Sequence, residues 1–274
     1  MVAQGLPVPA NSDAVRRMMS AVEQQEAMPA ITAVVSGTPT IGLTSDEVVR
    51  FLNRSGVSKV SSRDLGSLMA SGGDGATTVA ASLTLCRAAG VQVFATGGIG
   101  GVHRDPFDES ADLVELSRSQ VVVVCAGAKA ILDIAATVER LESLGVSVVG
   151  YRTDEFPGFY AASTGLGVPA RADEARQIAD IFRAQLAVGH PGALLVVQPP
   201  PAEAALARSE VEEAVEIALD AARRQGVRGS AMTPFLLSAV ERATHGRSLA
   251  VNLALLEANA RLAGTIAREL VESH

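Results

Sequence analysis

Cysteine is scarce in this chain, and so are the runs that would place it on a nucleic acid or in a membrane. Only Cys86 and Cys125 occur in 274 residues, both inside apolar segments. Such a lone pair argues against a disulfide framework or a thiolate zinc site, and it reads as buried, reduced thiols in a cytoplasmic protein. Basic clusters are missing as well. The net charge is −7, so a polynucleotide backbone would be repelled, and no nucleic-acid partner is expected. No uninterrupted apolar segment approaches bilayer-spanning length, and the opening MVAQGLPVPANSD has neither the basic start nor the apolar core of a secretion signal. No membrane partner is expected either. Linker-like stretches and internal repeats are absent, since the Pro-rich QPPPAE at 198–203 is short. One domain spanning 1–274 is the expectation.

What is present is an alternation. Short runs rich in Val and Ile stand at 31–35 (ITAVV), 91–95 (VQVFA), 121–125 (VVVVC), 146–150 (VSVVG) and 193–197 (ALLVV), several of them separated by segments of helical length. This rhythm predicts an α/β protein with three α/β/α layers and a mainly parallel central sheet. Helix ends are marked too. Asn11 or Ser12 is placed to cap the first helix, Thr44 with Glu47 forms a capping-box pattern, and Ser209 with Glu212 forms another before a helix ending at Arg223, Arg224 and Gly226.

Lys129 stands four residues past Cys125, after the turn Ala-Gly-Ala. The pattern predicts it just beyond the carboxyl end of a central strand, at or in the first turn of the next helix, the edge where open parallel sheets bind ligands. Two readings fit: a solvated lysine at a turn, or an amine kept near a helix N-terminus and apolar neighbours, where its charge is disfavoured and it can attack a carbonyl carbon. Position does not choose between them.

Two glycine-rich stretches lie nearby in the chain. In SGGDGATTVAASLTL (71–85), Gly72, Gly73 and Gly75 precede Thr77 and Thr78. Free amides and two hydroxyls there suit a phosphate, and an ordinary capped loop fits equally. The GK[ST] ending of a nucleoside-triphosphate loop is missing. In VQVFATGGIGGVHRDPFDESADL (91–113), the glycines lack G-x-G-x-x-G spacing, and His103, Arg104 and the acidic set Asp105, Asp108, Glu109 and Asp112 follow. A dinucleotide site is disfavoured. Acidic oxygens here suit a hydrated divalent cation or simply a solvated turn.

The strings SRDL, GATTVA, VFATGGIGGVHR, DESADL, VVCAGAKAILD, TPFLL and SLAVNLALLEANA run in order over nearly the whole chain. Together they resemble the pseudouridine-5′-phosphate glycosidase family, which includes the indigoidine synthase A-like proteins. The resemblance implies reversible cleavage of the C-glycosidic bond of pseudouridine 5′-phosphate to uracil and ribose 5-phosphate, with a divalent metal, usually manganese, in an α/β/α homotrimer. It implies that Lys129 of CAGAK is the nucleophile, Asp108 the metal ligand, and Val93, Ser110, Ala111, Asp112 and Asn252 substrate contacts, beside the phosphate loop of Thr77 and Thr78.

Two departures from the family pattern go with it. Family members carry a glutamate-bearing strand before GLPVP, where this sequence opens at Met1-Val2-Ala3-Gln4-Gly5, so ring opening is expected to be slow. They also carry a lysine two residues before the glycine of GATT, where this chain has Gly73, which implies a weaker hold on the 5′-phosphate. Two other activities therefore stay open: C-ribosyl transfer to another acceptor in secondary metabolism, and a non-catalytic relative that keeps the pocket.

Overall fold

The computed structural model describes residues 5–53, 55–104, 108–227 and 232–272. Its centre is β6 (Val122–Cys125), four residues with no exposed surface. A strand buried on both faces needs apolar side chains at every position, and β-branched valines suit the pleat. Because side chains alternate, Val123 and Cys125 enter one core while Val122 and Val124 enter another. β6 lies between β5 (Val93–Ala95) and β9 (Leu194–Val197), followed outward by β7 (Ser147–Tyr151) and the short β8 (Arg171–Ala172). All four pairings in this five-stranded sheet are parallel.

Helices cover both faces, as the alternation predicts. On the first face, β6 packs with Leu83 and Cys86 of α4 (Val79–Ala89), Leu113 and Leu116 of α5 (Ala111–Leu116), Leu141 of α6 (Ile134–Ser143) and the apolar side of α8 (Arg208–Gln225). On the second, Ile178 and Phe182 of α7 (Ala175–Ala187) meet Leu262 and Ile266 of α10 (Arg247–Glu272). Burying each such aliphatic side chain contributes about 1.5–3 kcal/mol, so these two cores set the sheet's position. The earlier half of α10 turns Val251, Leu255 and Leu256 to the first core. One helix thus crosses the edge of the sheet.

The run at 31–35 does not join this sheet. It forms β1 (Thr32–Val35) of a second, four-stranded sheet ordered β2-β1-β4-β3, with β2 (Thr38–Ile41), β3 (Val57–Val60) and β4 (Asp74–Thr77). β1 is antiparallel to both its neighbours, and only β3 and β4 run parallel. The cause is local: Ser36 (φ 47°) and Gly37 (φ 78°) make a two-residue hairpin of the primed type, which returns the chain at once. α4 joins the two parts. Ala81 and Leu85 pack on Val34, Val60 and Leu65 of the small sheet's core, while Val79 and Leu83 face the large one.

Helix ends follow the expected chemistry in part. Thr44 and Glu47 make the capping box of α2 (Ser45–Leu52), and α8 ends at Gly226 in the left-handed conformation after Arg223 and Arg224. The first helix, α1 (Ala10–Glu23), starts earlier than Asn11 or Ser12 would have it, with Pro9 at its N-cap. Asn11 instead donates from its amide to Leu52 O at 3.1 Å. α8 likewise begins at Arg208 after Ala207, and Glu212 pairs with Arg208 rather than closing a box with Ser209. In both, the chain enters the helix before the polar residue.

Candidate active site

Beyond the carboxyl ends of β5 and β6 the two chains keep running side by side. Thr96 N donates to Val124 O (3.0 Å), Ala126 N to Gly97 O (2.8 Å), Ile99 N to Gly127 O (3.0 Å) and Lys129 N to Ile99 O (3.1 Å). The glycines allow this approach by lacking a side chain. A Cβ on Gly98 would lie 2.7 Å from the Phe159 ring, and one on Gly100 would lie 2.2 Å from Ser110 Oγ. Neither glycine has a positive φ. Their need is space, not backbone freedom.

Lys129 therefore sits in an ordered loop, five residues before α6, and Asp133 rather than the lysine caps that helix. The expected first-turn placement is corrected: the lysine lies in the loop ahead of α6, outside its first turn. Burial still pushes its pKa below that of a free lysine, Asp112 pulls it back up, and the charge of Lys59 pushes it down again. The residue as a whole is half-buried, which leaves the site open to a ligand.

Lys59 was not singled out from the sequence as a site residue. It is exposed on β3, one residue from that strand's carboxyl end, and its charge acts on both Lys129 and His103. A signal for it was in plain view. Of 23 basic residues, only Lys59 and Lys129 are lysines. Arginine serves everywhere else, whereas an amine that can lose its proton is kept for this one place.

Asp112 joins the two parts of the protein. It is 4% exposed, and its Oδ1 accepts from Ala80 N while Oδ2 accepts from Gly100 N, both at 2.8 Å. The anion held in the first turn of α4 is thus this carboxylate. Ser110 caps α5, its Oγ accepting from Asp112 N (3.3 Å) and its N donating to Gly101 O (3.1 Å). Ala111 is exposed beside them.

Thr77 and Thr78 both make hydrogen bonds within the fold. Thr77 Oγ1 lies 3.0 Å from Thr32 O, Thr32 Oγ1 and Ser82 Oγ, and Thr78 Oγ1 caps α4 by accepting from Ala81 N. The segment expected to be one glycine-rich loop is instead a helix end at Gly72, the strand β4 and the cap of α4. Gly72 (φ 70°) ends α3 (Leu65–Ser71), and Gly75 is a strand residue whose Cβ would meet Val60 Cγ2 at 2.6 Å. Gly73 precedes β4, at the end away from Thr77, and a Cβ there would lie 2.6 Å from Leu68 Cδ1. A lysine at Gly73 would therefore not serve this site. Val93 does not join it either: it starts β5 opposite Val122, and it packs against the core beneath α7 and α10.

The two asparagines of α10 divide their tasks. Asn259 donates to Thr96 O (2.8 Å) and accepts from Gln198 Nε2 (2.8 Å), which ties the helix to the loop after β5. Asn252 is 7% exposed, and its Oδ1 is buried without a hydrogen-bond partner, 3.5 Å from where a Gly97 Cβ would stand. An unpaired buried acceptor costs about 1–3 kcal/mol, a cost that a ligand donor would remove.

Asp108 is exposed, and its Oδ2 lies 4.0 Å from His103 Nε2. Burial, Lys129 and Lys59 push the His103 pKa down, and the Asp108 charge pulls it up. Asp105 lies outside the described residues. Among the described residues no group of three or more His, Cys, Asp or Glu side chains is placed to hold a metal ion. The donor set fits a hydrated cation resting on one carboxylate, not a chelated one.

These features define an α/β/α protein with a buried amine at the carboxyl edge of its parallel sheet. Residues 1–269 match the model of the Indigoidine synthase A like protein family, and the chain belongs to that family. It is 60% identical over 273 residues to a pseudouridine-5′-phosphate glycosidase of Gemmatimonas aurantiaca, covering 99% of this chain and 89% of that one. A second, from Herpetosiphon aurantiacus, is 47% identical over 100% of this chain and 91% of its own length. Among solved structures, the prealnumycin C-glycosynthase AlnA in complex with ribulose 5-phosphate superposes with a TM-score of 0.89 at 37% identity, covering 94% of this chain and 86% of that one. An indigoidine synthase A-like protein of Thermotoga maritima gives a TM-score of 0.90 at 36% identity, covering 97% and 89%.

Proposed function

We propose that this chain reversibly cleaves the C-glycosidic bond of pseudouridine 5′-phosphate, giving uracil and ribose 5-phosphate, by way of a covalent adduct on Lys129. The observation that carries the reading is the Lys129 amine, held toward neutrality by burial and by Lys59 at the edge where the parallel sheet opens. The 60% identity to a pseudouridine-5′-phosphate glycosidase supports the substrate.

A carbon-bound base is a poor leaving group, so the sugar must first become an electron sink. The neutral amine bonds to C1′ as the C1′–O4′ bond breaks and O4′ takes up a proton. The electrons of the C1′–C5 bond then pass to uracil, which is protonated at C5, while the lysine nitrogen forms a double bond to C1′. Water adds to C1′ and releases ribose 5-phosphate with the lysine restored. Asp112 limits how far the amine's pKa falls, Asn252 offers its unpaired oxygen to a substrate donor, and Lys59 brings a second cation to the site from the small sheet.

A divalent cation, manganese by default, would be held by Asp108 with waters completing its shell, and it would supply charge near the leaving base. A homotrimeric assembly and a cytoplasmic location belong to the same reading. C-ribosyl transfer to another acceptor is the second reading, favoured by the likeness to AlnA, a C-glycosynthase. Product formation from ribose 5-phosphate with uracil, set against other carbon acceptors, separates the two. Borohydride reduction in the presence of ribose 5-phosphate should leave the sugar on Lys129. Mass spectrometry that finds it on Lys59, or finds no adduct, overturns the mechanism.

A further inference from the structure

The segment Phe156–Ala161 packs against both loops that run on beyond β5 and β6. Phe159 is a bulky residue in the left-handed region (φ 65°), a conformation that such side chains adopt only when their surroundings enforce it. Three contacts do so. Its N–H donates to Ala126 O at 3.1 Å, the first residue beyond β6. Its ring covers Gly98 so closely that a Cβ there would stand 2.7 Å from ring carbons Cδ2 and Cε2. Its neighbours cover Gly127, where a Cβ would lie 2.4 Å from Pro157 O and 2.9 Å from Phe156 Cε1. Tyr160 packs edge-on against the Phe159 ring at 4.7 Å, and its hydroxyl bonds the Ser248 side chain, one helical turn before Asn252.

We propose that Phe159 is a positioning residue that clamps the 97–101 loop against the 126–129 loop, and thereby sets where the Lys129 amine stands relative to its substrate. The ring and the backbone work on different partners. The ring fixes the glycine loop through Gly98, and the N–H fixes the lysine loop through Ala126. Tyr160 carries the same register to α10 and Asn252. The strain at φ 65° is what an enforced clamp requires, because a free loop would relax into an allowed conformation.

The inference rests on the adduct chemistry proposed above, and the test separates the two. Phe159→Gly removes the ring while easing the backbone, and Phe159→Tyr keeps the ring. Trapping of ribose 5-phosphate on Lys129 by borohydride in a single turnover is expected to slow about 10- to 100-fold in Phe159→Gly, as a displaced amine would. KM for the phosphorylated substrate should stay near that of the parent chain, and Phe159→Tyr should restore the rate. Gly98→Ala should also slow trapping, and it should do so less in the Phe159→Gly background, where the two ring carbons 2.7 Å away are gone and Gly127 O, at 3.0 Å, still crowds the methyl.

Should Phe159→Gly fail to melt cooperatively, Phe159→Leu takes its place under the same expectation. A wild-type trapping rate in the ring-less variant overturns the clamp, as does a Gly98→Ala defect equal in both backgrounds. If the parent chain forms no adduct on Lys129, the adduct reading falls and the clamp with it. If the parent chain reacts and the variants match it, the clamp alone falls.

Discussion

The two sheets each bring one lysine to the site, and they treat it in opposite ways. In the parallel sheet, β6 is wholly buried and its following loop is laid against a second loop by three backbone hydrogen bonds. Lys129 emerges from that construction with its charge disfavoured. In the small sheet, β3 is buried at Val57 and Val60 but exposed between them, and Lys59 is one of its exposed residues. The same side chain is pressed toward an amine in one place and acts as a nearby charge in the other. Environment, not residue type, assigns the two roles.

Exchanging the lysine of the large sheet should show the greatest effect. Lys129→Arg keeps a cation but cannot form the adduct, because guanidinium holds its proton. Turnover is expected to fall by at least about a thousandfold while the melting curve stays cooperative, measured by uracil release. Normal turnover would end the distinction between the two lysines.

Asp112 tests the joint between the two parts of the molecule. Asp112→Asn turns one acceptor into a donor facing a backbone N–H, and the loss should be about 1–3 kcal/mol in a urea titration. It also removes the charge that raises the Lys129 pKa, so the free amine should persist to lower pH. An unchanged urea midpoint would show that the carboxylate does not hold α4 to the glycine loop.

Asp108 is exposed, so Asp108→Asn should leave the fold intact. Manganese binding, followed by calorimetry, should weaken by at least about tenfold. Equal affinity in the two proteins would remove the cation from Asp108.

The smallest effect belongs to the lysine of the small sheet. Lys59 lowers the Lys129 pKa, so Lys59→Met should let it rise. The sign follows directly: with a higher pKa less of Lys129 is neutral at a given pH, so trapping slows near neutrality and recovers as pH rises. A profile displaced toward lower pH, or not displaced at all, would show that the like charge does not matter.

Much of this was legible in the chain. The valine run at 121–125 dictated a doubly buried parallel strand, since no other element accepts four adjacent β-branched apolar residues so readily. The order of motifs from SRDL to SLAVNLALLEANA led to the family that the full-length match establishes. Other features stayed hidden in the sequence for identifiable reasons. The hydroxyls of Thr77 and Thr78 look free in a string of letters, but their partners Thr32 and Ala81 are supplied by a neighbouring strand and by the helix they begin. Val93 carries no local mark of the end of β5 at which it stands. Lys59 could have been found by counting, because it and Lys129 are the two lysines of the sequence.

The sequence alone determined the kinds of element, the buried centre of the parallel sheet and the presence of a rare amine beyond it, because these depend on patterns of neighbouring residues. It could not decide that ITAVV belongs to a different sheet, that Asp112 bonds to the start of α4, or that Phe159 lies over Gly98. Those facts join residues 32 to 61 positions apart, for the last two, and depend on how two sheets dock through α4. Close packing decides them, since a vacant Cβ position is defined only by the side chain that fills it from elsewhere in the fold.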